Sequence, residues 1–444
     1  MKYLSQQMRI IFCLGLAWQV FAGQSAAWAE ADGKPLRLTV DEAVRMAFEA
    51  SEDLKMQDNE IARSRAKYVE ERADMLPQIN GTGTWSNQFE HPDISATAGL
   101  KEYSLDAGLS VNQTLFTFGK LSAAVASAGK AVEVSRFNKE VTRQEVIYNA
   151  KLAYYSACLT KQTFEIAQES HQNAVQNKEI LHDRSAGGRV SKHDNIKISA
   201  DIAARLPVVN NARAEYHSAL ETLKVAIGLE SPQEIELAQG FDADFPELER
   251  ESLALALYNN QPVIKALAKA IEVNKDIVIS KRAEYLPEIA AFATWNHKGY
   301  GDDYDVGQDN LYDYGVAGVK IDVPIWTGGE THAELQQARI DKRNAELDYQ
   351  KGKETYLLEL DKSLAEYREY VKTLAAHEEA VRWARESFDY SQELFRSGRI
   401  SITDLNDAEW QLTNEKMNRV MTLFNLHKTL AKIERLTLTE NNHE

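Results

Sequence analysis

Two cysteines, nine prolines and no run of eighteen apolar residues after residue 30 set the first limits on this 444-residue chain. Without such a run, no segment beyond residue 30 can cross a bilayer as a helix. The remaining way to span lipid is a closed β-barrel, because every backbone polar group must find a partner there. Cys13 lies within an N-terminal stretch with the marks of a signal peptide: Lys2 and Arg9, the short apolar segment Ile10 to Ala22, and a small-x-small site at Ala27-Trp28-Ala29. Cleavage after Ala29 is expected, and no lipid anchor, because no small residue precedes Cys13. Only Cys158 then remains, so an exported chain would have no intrachain disulfide. Basic residues are also short. Lys and Arg number 51 against 67 Asp and Glu, a net charge of −16, or −18 once Lys2 and Arg9 are removed. That excludes a nucleic-acid partner, which needs clustered cations.

Catalytic constellations are missing as well. His377-Glu378-Glu379-Ala380-Val381 begins like a zinc-protease helix, but valine stands where the second histidine is required. There is no P-loop and no nucleophile-elbow serine. Gly81-Thr82-Gly83 and Gly299-Tyr300-Gly301 lack the third glycine of a dinucleotide site, and the ten histidines are scattered. No enzyme activity, cofactor or metal site is expected.

What is present is an internal duplication. Met75-Leu76-Pro77-Gln78-Ile79 with Trp85 returns as Tyr285-Leu286-Pro287-Glu288-Ile289 with Trp295, an offset of 210. Leu115-Phe116-Thr117 and Gly119 return as Ile325-Trp326-Thr327 and Gly329. Gly188-Arg189-Val190-Ser191 and Asp194 return as Gly398-Arg399-Ile400-Ser401 and Asp404, all at the same offset. Two copies are too few for a solenoid, so they imply a pseudo-twofold subunit. Each half reads as helix, strand, loop, strand, very long helix, helix. First helices are predicted over 41–75 and 250–285, stopped by Pro77 and Pro287. The long helices, 119–186 and 329–396, would each extend about 100 Å. Final helices follow over 191–228 and 401–438. Leu357, Leu360, Leu364, Tyr367, Val371, Leu374, Val381, Ala384 and Phe388 form a heptad seam broken only at Glu378.

Between the helices the period changes to two. Tyr103, Leu105, Ala107, Leu109 and Val111 alternate with Ser104, Asp106, Gly108, Ser110 and Asn112, and the three sister segments behave alike. A half-buried soluble sheet would alternate in the same way. Strands of about 10 to 13 residues suit a tilted membrane strand, and Trp85, Phe89, Phe116, Trp295 and Trp326 fall near strand ends, as an aromatic girdle would. The loops 90–102 and 297–310 are polar, and the aspartates of the second, Asp302, Asp303, Asp305 and Asp309, do not match calcium-loop spacing. Four strands cannot close a barrel. Two chains would supply eight, a barrel filled by side chains, and three would supply twelve, enough to enclose a passage.

This duplicated helix–hairpin–helix plan, its Leu-Pro stops, and the segments Phe395-Arg396-Ser397-Gly398 and Asp404-Leu405-Asn406-Asp407-Ala408 resemble the outer-membrane efflux protein family, the TolC family, over nearly the whole mature chain. The resemblance implies a mostly α chain with a membrane β-barrel: four β-strands and long coiled-coil helices per chain in two pseudo-repeats, and a homotrimer with a twelve-strand β-barrel plus an α-helical periplasmic barrel. It divides the chain into signal peptide 1–29, first repeat 30–229, equatorial linker 230–249, and second repeat with C-terminal tail 250–444. It implies an exit duct in the outer-membrane lipid, extending into the periplasm, for efflux or type I secretion. Its partners would be a periplasmic adaptor (membrane fusion protein) and an inner-membrane transporter of RND or ABC type. Asp404 and Asp407 match the family's periplasmic gate, with Asp194 the matching acceptor on the first hairpin. Gly188, Arg189, Val190, Ser191, Gly398, Arg399, Ile400 and Ser401 match the adaptor-docking tips. Phe395 and Ile400 stand where the family's lock has a tyrosine and an arginine, leaving Arg399, Arg189 or Lys192 as candidate substitutes. For Asp404 and Asp407 a plain helix-capping role is the competing reading. A soluble periplasmic coiled-coil adaptor or structural protein is the alternative for the whole chain, although it leaves the recurring strands unexplained.

Overall fold

The fold is taken from a computed structural model, which describes residues 35–89, 101–185, 191–229, 233–242, 244–301, 304 and 311–438. The signal segment 1–29, most of both polar loops, and Gly188, Arg189 and Val190 lie outside the described residues.

Both periodicities fold as their patterns dictate. The period-two segments form β2 (Gln78–Asn87), β3 (Tyr103–Phe116), β5 (Glu288–Gly301) and β6 (Leu311–Asp322). They make one antiparallel sheet in the order β2-β3-β5-β6. The long-helix segments form α3 (Lys120–Ser185) and α7 (Glu330–Arg396), of 66 and 67 residues, each about 100 Å long. They are followed by α4 (Lys192–Ala226) and α8 (Ile402–Thr437). Gly119 and Gly329, at matching positions of the two repeats, turn the chain from sheet into long helix with φ of +98° and +92°. An L side chain is strained in that region. On the predicted seam, Leu360, Leu364, Tyr367, Leu374, Ala384 and Phe388 are buried.

The first helices differ from expectation. Residues 41–75 form two helices, α1 (Val40–Ala50) and α2 (Glu52–Ala73). Residues 250–285 likewise form α5 (Arg250–Asn260) and α6 (Pro262–Ala283). Ser51 stops the first by accepting the Leu54 amide at 3.2 Å, which starts a new helix. Pro262 restarts the second at the position where its missing N–H costs nothing. The linker 230–249 holds a strand that the sequence reading did not foresee, β4 (Ile235–Leu237), parallel to β1 (Leu36–Leu38). The strands β3 and β5, at 14 residues each, run slightly longer than expected.

The helices form a curtain. On the sheet side α2 packs on α3, α3 on α6, and α6 on α7; toward the other end α4 packs on α3, α3 on α8, and α8 on α7. Midway, α1, α5 and the two-stranded sheet thicken the curtain. There the Tyr154 hydroxyl lies 3.1 Å and 3.0 Å from the Leu38 and Gln239 carbonyls, and a core gathers around Leu38, Leu223, Ile227 and Cys158. Beside it His427 stacks on Tyr155 with ring centroids 4.5 Å apart, flanked by Phe241 and Phe245, and bonds the Asp242 carbonyl at 3.2 Å. Burial lowers the His427 pKa from its ordinary 6.5. The unfolded chain therefore binds this proton more readily, and stability falls as pH drops below 6.5 toward the folded value. We expect the thermal midpoint to decline between pH 7.5 and 5.5, and His427→Gln to flatten that slope. An unchanged slope in the variant would count against His427 as the group responsible.

Candidate functional site: sheet faces and helical tip

The strand register sorts side chains onto two faces. One carries Ile79, Leu105, Leu109, Val111, Trp85, Trp295, Leu311, Val319 and Ile321; the other carries Asn80, Thr82, Thr84, Ser104, Asp106, Ser110, Asn112, Thr294 and Lys298. The apolar face suits lipid and the polar face water. Among the polar side chains on the apolar face are His297 and Asp313, bonded to each other at 2.5 Å. Of the aromatics expected in girdles, Phe116 lies at one end of β3 with Phe118 packed 4.6 Å away, and the exposed Trp326 follows β6 on the same side. Trp85 lies toward the other end, packed against Tyr103 and Tyr304, and Phe89 follows β2 there, 89% exposed. Trp295 departs from expectation. It sits in the middle of β5, opposite Leu109 and Gly315, because the strand continues to Gly301.

At the far end of the curtain the helical turn after α7 is set by Gly398 at φ +76°. The Gly398 amide bonds the Phe395 carbonyl at 3.0 Å and the Arg399 amide bonds the Leu394 carbonyl at 2.9 Å, the paired bonds of a Schellman turn. Arg399 and Ser401 are exposed and Ile400 is half-buried. On the first hairpin Ser191 caps α4, accepting the His193 amide at 3.1 Å.

Asp404 and Asp407 share the exposed face of α8. Asp404 also closes a capping box. Its carboxylate accepts from the Ser401 hydroxyl at 2.8 Å and amide at 3.0 Å, and its own amide donates to the Ser401 hydroxyl. These bonds, with Lys197 nearby, hold the Asp404 carboxyl below the usual carboxylate range. Asp194, half-buried, lies in the first turn of α4. The two helix starts meet where Lys197 Nζ donates to Thr403 Oγ1 at 2.6 Å, so all three aspartates gather at one end. Capping and a charged face are thus compatible at Asp404, since one carboxylate does both.

Phe395 and Ile400, at the positions where the resemblance led one to look for a polar lock, pack into an apolar cluster. Phe395 is 1% exposed and packs with Leu181, Ile198, Phe388, Ile402 and Leu405, with Ile400 against the cluster. An apolar plug therefore joins the two hairpins. At the helix starts Lys197 reaches across from α4, a cation the sequence reading did not weigh, while Arg189, one that it did weigh, lies outside the described residues. Further along, Arg205 of α4 donates to Ser170 Oγ at 2.6 Å, pairs with Asp201 at 3.0 Å, and pairs with the buried Glu409 of α8, which also accepts from Thr413 at 3.0 Å. This network was missed in the sequence. Its one local signal is the i,i+4 spacing of Asp201 and Arg205.

A four-stranded sheet with one lipid-suited face, mounted on a helical curtain about 100 Å deep, defines a partial subunit of an outer-membrane channel. The sequence profile of the outer membrane efflux protein family matches residues 43–229 and 253–437, one match per repeat, and the chain belongs to that family of non-enzymatic transport proteins. The chain is 21% identical over 431 residues to the probable efflux pump outer membrane protein TtgC of Pseudomonas putida, covering 92% of this chain and 87% of that one. It is 25% identical over 361 residues to the alkaline protease secretion protein AprF of Pseudomonas aeruginosa, covering 77% and 72%. The fold superimposes on the CmeC outer membrane channel of Campylobacter jejuni with a TM-score of 0.78 at 17% identity, over 90% of this chain and 85% of that one.

Proposed function

We propose that three copies of this chain close into a twelve-strand barrel continued by a helical tunnel, and that this assembly is the outer-membrane exit duct of a tripartite efflux or type I secretion system. The observation that carries the reading is that sheet and curtain have free edges on corresponding sides. β2 is one edge of the sheet and continues from α2, while β6 is the other and leads into α7. Edge β2 and edge β6 run antiparallel, so a neighbouring copy extends the up-and-down order, and only ring closure removes the unpaired backbone from lipid. Along its length α7 would meet the next copy's helical edge, α2 near the sheet and α4 near the tip.

In this reading Asp404, Asp407 and Asp194 gather at the tunnel's periplasmic mouth as a gate that selects cations. The tips at Gly188–Ser191 and Gly398–Ser401 receive a periplasmic adaptor, which couples the duct to an inner-membrane transporter of RND or ABC type. Support for a duct serving either efflux or secretion comes from relatives of both kinds, TtgC and AprF. Native mass measurement of the detergent-extracted protein tests the assembly. A trimer extracted from the outer-membrane fraction is expected; a monomer released with soluble periplasmic contents would overturn the reading in favour of a coiled-coil adaptor.

A further inference from the structure

On the polar face of the sheet, where the side chains are otherwise mostly small and hydrophilic, three tyrosines form a ladder. Tyr314 and Tyr312 follow each other along β6, and Tyr300 continues the line on β5, each step 6.3 Å between ring centroids with ring planes 30° and 28° apart. The residues stay 38%, 48% and 42% exposed in the order Tyr314, Tyr312, Tyr300. Beside them the register places Ser104 opposite Tyr300, Asn296 opposite Tyr314, and Val316 next along β6. Lys298 lies 5.7 Å from the centre of the Tyr314 ring, but its charge is matched by Asp106 at 2.7 Å.

We propose that this ladder is a stacking track for flat aromatic solutes leaving through the passage. The proposal rests on the reading that the polar face lines that passage. Exposed π-faces on a wet wall leave apolar area in contact with water, and an arriving ring covers it while gaining an offset or edge contact with phenol. The repeat of 6.3 Å is close to the span of one ring, so a solute can touch the next tyrosine before leaving the last. Charge does not do the selecting at this level, because Asp106 and Lys298 cancel. Rings are what the wall offers. In a threefold assembly three such tracks would run toward the end of the sheet that carries the polar loops.

The test uses the full chain in planar bilayers, in an Asp404→Asn/Asp407→Asn background so that the tip aspartates do not hold the probe. N-methylquinolinium and tetraethylammonium, equal in charge, are added on the loop side and their residence times read from current block. Replacing Tyr300, Tyr312 and Tyr314 together by leucine is expected to shorten quinolinium residence about fivefold, the loss of a modest aromatic contact, with tetraethylammonium unchanged. Equal loss for both probes, or no loss for either, overturns the ladder and leaves the tyrosines as hairpin braces. Should the triple variant lose its native unitary conductance, Tyr312→Leu alone carries the test, with a decrease of about twofold expected for quinolinium only. A protein that never conducts, parent included, overturns the channel reading instead, and is thereby told apart from a channel that conducts without discriminating.

Discussion

Replacing Asp404 and Asp407 by asparagine is expected to lower the cation-to-anion permeability ratio of the reconstituted channel about tenfold, the low end of what a cleft lined by one sign of charge does to local counter-ion concentration. The two carboxylates lie on one exposed face of α8, one turn apart. In a trimer they would bring six like charges around a narrow mouth, which favours cations and opposes tight closure. Removing the charge is therefore expected both to weaken selectivity and to alter the closed conductance, and alanine at both positions should widen it. Asparagine is the better first choice at Asp404, because its amide oxygen can still accept from Ser401 and keep the start of α8 capped. Asp407 takes no part in that capping box, so Asp407→Asn alone should show a loss of selectivity with no loss of helix stability. A permeability ratio that stays at the parent value in the double variant would remove these residues from the gate.

The second large effect concerns the buried charge pair between hairpins. Glu409 is 1% exposed, and its carboxylate is held by Arg205 and Thr413. Arg205→Met leaves that carboxylate buried with a single hydroxyl donor, and loss of one partner from a buried pair costs about 3–5 kcal/mol. The expected result is a large fall in the unfolding midpoint, followed by circular dichroism in detergent. Adding Glu409→Leu should restore most of it, because an apolar pair of similar volume avoids the desolvation of both charges. Failure of the second substitution to rescue the first would mean that Arg205 matters mainly for Ser170 and Asp201, its other partners.

The sequence made the large elements legible because two physical periods dominate it. Heptad spacing at Leu360, Leu364 and Tyr367 and strict alternation from Tyr103 to Val111 each report one element and its buried side. The 210-residue offset then doubles every inference. What stayed hidden is of another kind. The break at Ser51 falls within a stretch that is helix-forming on both sides, and only the serine itself marks it. The strands Leu36–Leu38 and Ile235–Leu237 are too short to show a period, and each exists because the other is beside it. Arg205 and Glu409 are 204 residues apart. Periodicity shows that a helix has an inner face, but not which helix it meets. The tip illustrates the limit well. Phe395 and Ile400 read as the absence of a polar lock, and nothing in their spacing foretold that Phe395 would be buried with Leu181, Ile198 and Leu405 between the hairpins.

Cys158 has a consequence for experiment. It is 2% exposed, and burial pushes its thiol up to about 12, so at neutral pH it is both shielded and held as the unreactive thiol. A mature chain cut after Ala29 would hold no other sulfhydryl. In such a chain a cysteine introduced at Arg399 or Thr403 would be the one readily labelled, and in the proposed trimer its labelling would report on when the helical tips part.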